Sequence, residues 1–250
     1  MSNQVQSIIN SGFSFIQQFR DFPTPLGGLN GFSYSVVIPH ATYSPWLKDQ
    51  DFLSAWGLIQ RHTLVDIYRL HELWTLCESL QGVDGDVLEV GVWRGGSTVL
   101  IGRRFESLGI PITVFGADTF SGVVKAGHAD PSYTGGEHSD TSLDIVYELA
   151  STAQVSNIMW MEGIFPDETG HTISDRIFRF VHIDVDVYQS AFDVLEWVWP
   201  RLSLGGVVVF DDFGFESCQG ITRLVEQYRG SLDRLIIHNL NGHALMIKRF

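Results

Sequence analysis

The chain is short of cysteine, of positive charge and of long apolar runs. Only two cysteines, Cys77 and Cys218, occur among its 250 residues. They lie far apart in helix-like contexts, which excludes a disulfide framework or a zinc knuckle and leaves them as buried thiols. No apolar run approaches the ~20 residues of a membrane span, and the N-terminus lacks the basic and apolar regions of a secretion signal. A cytoplasmic location without a membrane partner is expected. Lys and Arg number 16 against 29 Asp and Glu, a formal charge of −13, and phosphate backbones need a basic surface. Nucleic acid is therefore not an expected partner. Solubility accounts for most of the acids, but a small-molecule site whose carboxylates gather around a cation fits the same balance.

What is present is globular composition, 44% hydrophobic and 18% charged, long enough for one large domain with an N-terminal extension. The expected division is an arm and helix over residues 1–63 and a main domain over 64–250. Pro23, Pro25, Pro39, Pro45 and the Gly27-Gly28 pair punctuate the arm, allowing little beyond a short helix near Val5 to Phe19 and an extended run over Phe32 to Ile38. Its aromatics Phe32, Tyr34, Tyr43 and Trp46 are suited equally to walling a pocket and to a subunit interface. From Asp51 to Leu80, apolar residues recur at three- and four-residue steps, the period of one or two helices.

Strands and helices then alternate. Strands are predicted over Val87 to Val92, Ile112 to Ala117, Ile158 to Met161, Phe178 to Ile183 and Val207 to Phe210. Helices are predicted over Ser97 to Leu108, Ser142 to Ser151, Tyr188 to Trp199 and Gln219 to Tyr228. Asn241-Gly242 between the β-like runs Leu235 to His238 and Ala244 to Ile247 signals a closing hairpin. The pattern predicts an open, mostly parallel α/β sheet with ligands beyond the carboxyl ends of its strands.

The first strand runs into Glu89-Val90-Gly91-Val92-Trp93-Arg94-Gly95-Gly96-Ser97, a glycine turn opening a helix. Its spacing is Gly-x-x-x-Gly-Gly, not the dinucleotide fingerprint. An acid two residues before the first glycine favours an ammonium over a phosphate. The second strand ends Ala117-Asp118-Thr119-Phe120, where an acid commonly accepts from ribose hydroxyls. A nucleoside joined to an amino acid satisfies both, and S-adenosylmethionine is that molecule. Against this stands the plain alternative of tight packing at the glycines and capping by Asp118. Glu162, at the third strand end, is read as an adenine contact or a surface acid.

Asp184, Asp186, Asp211 and Asp212 end the next two strands. They are hard oxygen donors suited to Mg²⁺, Mn²⁺ or Ca²⁺, and gathering them without a cation is costly. Asp211 and Asp212 must diverge unless the strand has already ended, so the last residues of each run are read as loop. Three acids can hold a metal while one takes a proton from a hydroxyl. His182 is a competing base or a satisfied core histidine, and His128, His138 and His171 lie in loops within reach. The loop from Val123 to Thr141 is read as a lid or as a solvated insertion.

The Glu89 to Ser97 turn, Ala117 to Gly122, His182-Ile183-Asp184-Val185-Asp186-Val187-Tyr188-Gln189-Ser190, and Leu202 to Gly206 running into Asp211-Asp212-Phe213-Gly214 together resemble the macrocin O-methyltransferase (TylF-like) family. These are Mg²⁺-dependent sugar O-methyltransferases of antibiotic biosynthesis. The resemblance implies a class I methyltransferase fold, Rossmann-like, with a seven-stranded sheet. It also implies methyl transfer from S-adenosylmethionine to a hydroxyl of a glycosylated small molecule, in a homo-oligomer. Asp184, Asp211 and Asp212 would be the metal ligands. Asp186 would be the base, with Asp184 and Asp186 able to exchange roles. Glu89, Gly91, Ser97, Asp118, Thr119 and Phe120 would line the S-adenosylmethionine pocket, with Ser142 and Glu162 as additions. The chain departs from the family pattern at Val185, Val123-Val124 and Pro166 to Gly170, all on the acceptor side. Rival readings are a metal-dependent glycosyltransferase using Asp-x-Asp and a non-catalytic relative.

Overall fold

A computed structural model describes residues 44–250 together with a two-residue antiparallel pair, Pro25–Leu26 and Tyr34–Ser35. The chain divides into compact units at Met1–Pro45 and Trp46–Phe250. The short helix and most of the extended run expected in the arm lie outside the described residues.

The second unit is built on a seven-stranded sheet made of β1 (Asp86–Val90), β2 (Val114–Asp118), β3 (Ile158–Glu162), β4 (Phe178–Ile183), β5 (Leu202–Phe210), β6 (Arg234–His238) and β7 (Ala244–Lys248). The spatial order is β3-β2-β1-β4-β5-β7-β6, parallel except for β7 and β6. Chain order reverses between β1 and β4, so the ends of those neighbouring strands frame the crevice typical of such sheets. The predicted α/β sheet and its terminal hairpin are both present. β5 is longer than predicted because Leu202 also pairs with Phe178 of β4, across an irregularity where Gly205 takes φ 77°.

Among the described residues, six α-helices flank the sheet: α1 (Gln50–Ile59), α2 (Ile67–Ser79), α3 (Gly96–Ser107), α4 (Leu143–Ala153), α5 (Tyr188–Val198) and α6 (Gln219–Gln227). Side chains fix the starts of three. Asp49 accepts from the Phe52 amide, Asp66 from those of Tyr68 and Arg69, and Ser142 from that of Ile145, satisfying donors that a helix end leaves free. One core layer joins Phe52, Leu70, Leu73, Trp74, Val99 and Phe105 on one side of the sheet. The other joins Leu88, Phe115, Phe178, Val181, Val194 and Leu224. Strands buried on both faces read as near-continuous apolar runs, as in Val207 to Phe210 of β5, where all four residues are buried. Among the described residues, no helix is long and apolar enough to cross a membrane.

Candidate active site

The strand ends are drawn together by backbone bonds. The Asp184 amide donates to the Val90 carbonyl at 2.9 Å, and the Asp211 amide to the Ile183 carbonyl at 2.9 Å, which stitches the loops after β1, β4 and β5 into one rim. Gly91 sits at φ 91°, and a Cβ there would meet the Asp184 carbonyl oxygen at 1.7 Å. The first glycine thus lets the turn after β1 lie against the loop carrying the acids.

Asp118 completes the turn. Its Oδ2 accepts from the amides of Val92 and Trp93 at 2.7 and 2.8 Å, and its Oδ1 accepts from that of Phe120 at 2.7 Å. Trp93 and Phe120 both hold positive φ, 49° each, a cost that these bonds offset. Burial pushes the Asp118 carboxyl up, while the amides of Trp93, Phe120 and Val92 pull it down. Capping and ligand binding are not exclusive here, since a carboxylate has about four lone-pair sites and the amides take three.

Asp186 and Asp212 stand just past their strands at φ 65° and 58°. This left-handed backbone, which Asp tolerates better than most residues, turns the acids back toward each other. Oxygens of Asp184, Asp211 and Asp212 lie within 4.8 Å of one another, and all four acids line one cavity with Gly91, Ser97, Asp118 and Thr119. The expectation that the run ends before Asp211-Asp212 is met: β5 stops at Phe210.

Charge within this set is uneven. Burial, then Asp211, Asp212 and Asp186, hold the Asp184 carboxyl well above the usual carboxylate range. Burial and the Asp212 charge push Asp186 up to about 8. Burial and Asp211 also raise Asp212, against the pull of Arg69. Asp211 goes the other way: burial pushes it up, but His243 and Arg69 outweigh burial and hold it below the usual range. The Arg69 Nη1 donates to both Asp211 oxygens at 2.7 Å and to Asp212 at 3.1 Å.

The loop over Val123 to Thr141 is anchored to the body. Lys125 pairs with Asp193 at 2.6 Å and with Asp167 at 2.8 Å, and Asp130 accepts from the Tyr188 amide at 2.8 Å. It delivers Tyr133, whose hydroxyl donates to Asp186 at 2.9 Å. Val123, Val124 and His138 from this loop, and Val185, also line the cavity. Two of the three departures from the family pattern therefore stand in the cavity wall.

Four residues expected to contact the cofactor are absent from the cavity lining. Glu89 is fully buried, facing His182 Nδ1 at 2.6 Å and accepting from the Thr98 hydroxyl. Ser142 caps α4, and neither Phe120 nor Glu162 lines the cavity. His182 has the place of a core histidine, and His128 and His171 are likewise absent from the lining. Arg69, Tyr133 and Cys218 line the cavity, although sequence reasoning does not single them out for the site. The one available signal for Arg69 is a cation on an apolar helix pattern, three residues before Glu72.

Comparison with known proteins identifies a family and a fold. The family model for Macrocin-O-methyltransferase (TylF) matches residues 54–239. The 8-demethyl-8-(2,3-dimethoxy-alpha-L-rhamnosyl)-tetracenomycin-C 4'-O-methyltransferase of Streptomyces olivaceus is 31% identical over 181 residues, 68% of each chain. The solved O-methyltransferase NovP superposes with a TM-score of 0.65 at 24% identity, covering 76% of this chain and 83% of its own. An O-methyltransferase from Bacillus cereus in complex with SAH does so with a TM-score of 0.51 at 19% identity, covering 80% and 92%. The last two show the fold alone.

Proposed function

The chain belongs to the Macrocin-O-methyltransferase (TylF) family and is an O-methyltransferase, and from that premise we propose that it methylates a sugar hydroxyl of a glycosylated natural product with S-adenosylmethionine and a divalent ion. One observation carries this reading. The four carboxylates share a single cavity with the Gly91 turn and Asp118, which sets a donor end and an acid end side by side. The rhamnosyl acceptor in the name of the Streptomyces olivaceus relative supports a sugar as the acceptor class.

The residues fit an ion of the Mg²⁺ class. Asp184, Asp211 and Asp212 offer converging hard oxygens, and the single guanidinium of Arg69 leaves the four acids short of positive charge. These three would hold the ion. When bound, S-adenosylmethionine supplies an electrophilic methyl group, and the ion supplies positive charge that lowers the pKa of a nearby hydroxyl. Asp186 then accepts the acceptor's hydroxyl proton as the oxygen attacks, and the Tyr133 hydroxyl keeps that carboxylate aimed. Asp118 and the glycine turn bind the nucleoside end. Val123, Val124 and Val185 give the acceptor region an apolar wall, suited to an aglycone beside the sugar.

Calorimetry with S-adenosylhomocysteine and with UDP-sugar, each with and without Mg²⁺, tests the donor. Mass spectrometry of glycosylated macrolide or aromatic acceptors against their aglycones tests the acceptor. The expected results are binding of S-adenosylhomocysteine and one methyl gained by glycosides only. UDP-sugar binding without S-adenosylhomocysteine binding, or methylation of aglycones instead, would overturn the reading.

A further inference from the structure

Phe210 on β5 is paired with Ala244 on β7 in antiparallel register. The residue after Phe210 therefore faces the residue before Ala244, which brings His243 to Asp211. The His243 side chain is fully buried, with Nε2 3.0 Å from Asp211 Oδ1 and Nδ1 2.6 Å from Glu72 Oε2. The Nδ1 contact to Glu72 thus aims Nε2 at Asp211.

Glu72 is itself held. Asn241 Nδ2 donates to its Oε2 at 2.9 Å and Asn239 Nδ2 to its Oε1, while Asn241 Oδ1 accepts from the His243 amide at 3.0 Å. The turn residues that signal a hairpin thus converge on one carboxylate of α2. Glu72 lies three residues after Arg69, so both stand on the same face of that helix. Arg69 reaches Asp211 directly, and Glu72 reaches it through His243.

We propose that Glu72 and His243 are positioning residues that fix the Asp211 carboxylate for divalent-ion binding, making the C-terminal hairpin turn part of the acid site. Neither residue lines the cavity, so their route to the site runs through Asp211. A carboxylate behind a histidine is a recurrent way of orienting metal-site groups, and removing such a partner typically costs 10–100-fold in metal affinity. Here the dyad stands one step further out, behind a carboxylate ligand. The inference rests on the reading of Asp211 as a ligand.

The test measures Mn²⁺ affinity by electron paramagnetic resonance and S-adenosylhomocysteine affinity by calorimetry for wild type, Glu72→Gln, His243→Gln and His243→Phe. Glu72→Gln and His243→Phe are expected to weaken Mn²⁺ about 10-fold or more while S-adenosylhomocysteine affinity stays within about 2-fold. His243→Gln, which retains a donor toward Asp211, recovers part of the loss. Asn241→Ala, at the partly exposed turn, serves if a buried variant fails to fold, and is expected to give a smaller loss in the same direction. Unchanged Mn²⁺ affinity in Glu72→Gln or Asn241→Ala, or a parallel loss of both ligands, would overturn the positioning role. Absence of Mn²⁺ binding in the wild type would instead overturn the underlying ligand reading.

Discussion

A single nitrogen of Arg69, Nη1, donates to both carboxylate oxygens of Asp211 at 2.7 Å, linking α2 to the end of β5 across 142 positions of sequence. Both side chains are almost fully buried, at 7% and 3% exposure. Removing one partner of such a pair leaves an uncompensated buried charge and costs about 3–5 kcal/mol. Arg69→Met, which keeps most of the volume, should lose that much stability in urea titrations run in EDTA. Mg²⁺ should then raise the melting temperature of the variant more than that of the wild type. Equal stability of the two proteins in EDTA would refute the prediction.

Asp186 differs from the three acids read as ligands in its partner, the Tyr133 hydroxyl. Asp186→Asn should abolish methyl transfer yet bind Mn²⁺ with wild-type affinity, because amide and carboxylate share a shape but the amide accepts no proton at neutral pH. Turnover and Mn²⁺ titration on the same sample decide this. Loss of Mn²⁺ binding would exchange the roles of Asp186 and Asp184.

Gly91 leaves no room for a side chain, and its φ of 91° is disfavoured for any other residue. Gly91→Ala should destabilise by more than about 1 kcal/mol, because a Cβ would collide with the Asp184 carbonyl. It should also weaken S-adenosylhomocysteine and Mn²⁺ together, since this contact joins the two loops proposed to bind them. Denaturant melts and the two binding titrations check it, and retention of either affinity would show that the loops are positioned independently.

Burial pushes both thiols up, Cys77 in the core and Cys218 beside Asp212 and Asp186. With the folded pKa above the unfolded value of about 8.5, each thiol's contribution to stability is fully present below about pH 8.5. It is lost as pH rises toward the folded value. At pH 8 a disulfide reagent should therefore label neither cysteine in the native protein and both in denaturant. Rapid native labelling at Cys218, which is 1% exposed, would refute the prediction.

The sheet was legible because its strands are near-continuous apolar runs, Val207 to Phe210 most plainly, and because Asn241-Gly242 marks its hairpin. Strand ends were legible too, since acids stop an apolar run abruptly, and so Asp184, Asp186, Asp211 and Asp212 stood out. Glu89 was harder. Its place before the glycine turn suggested a ligand contact, but an acid inside an apolar strand can also be there for a buried partner. The partner, His182, comes from a strand 93 positions later. Ser142 was likewise visible as a polar residue before a helix, and the cap it forms is local.

Sequence by itself determined the strands and helices of the sheet, the acids that end its strands, and the glycine turn beside them, because strand period, turn chemistry and charge are local properties. Tertiary structure alone decided what surrounds each acid. Arg69 and His243 lie 142 residues before and 32 residues after Asp211 in the chain, yet they set its charge balance. Electrostatic influence falls with distance in space, not along the chain, so four acids that look alike in sequence end in four different environments.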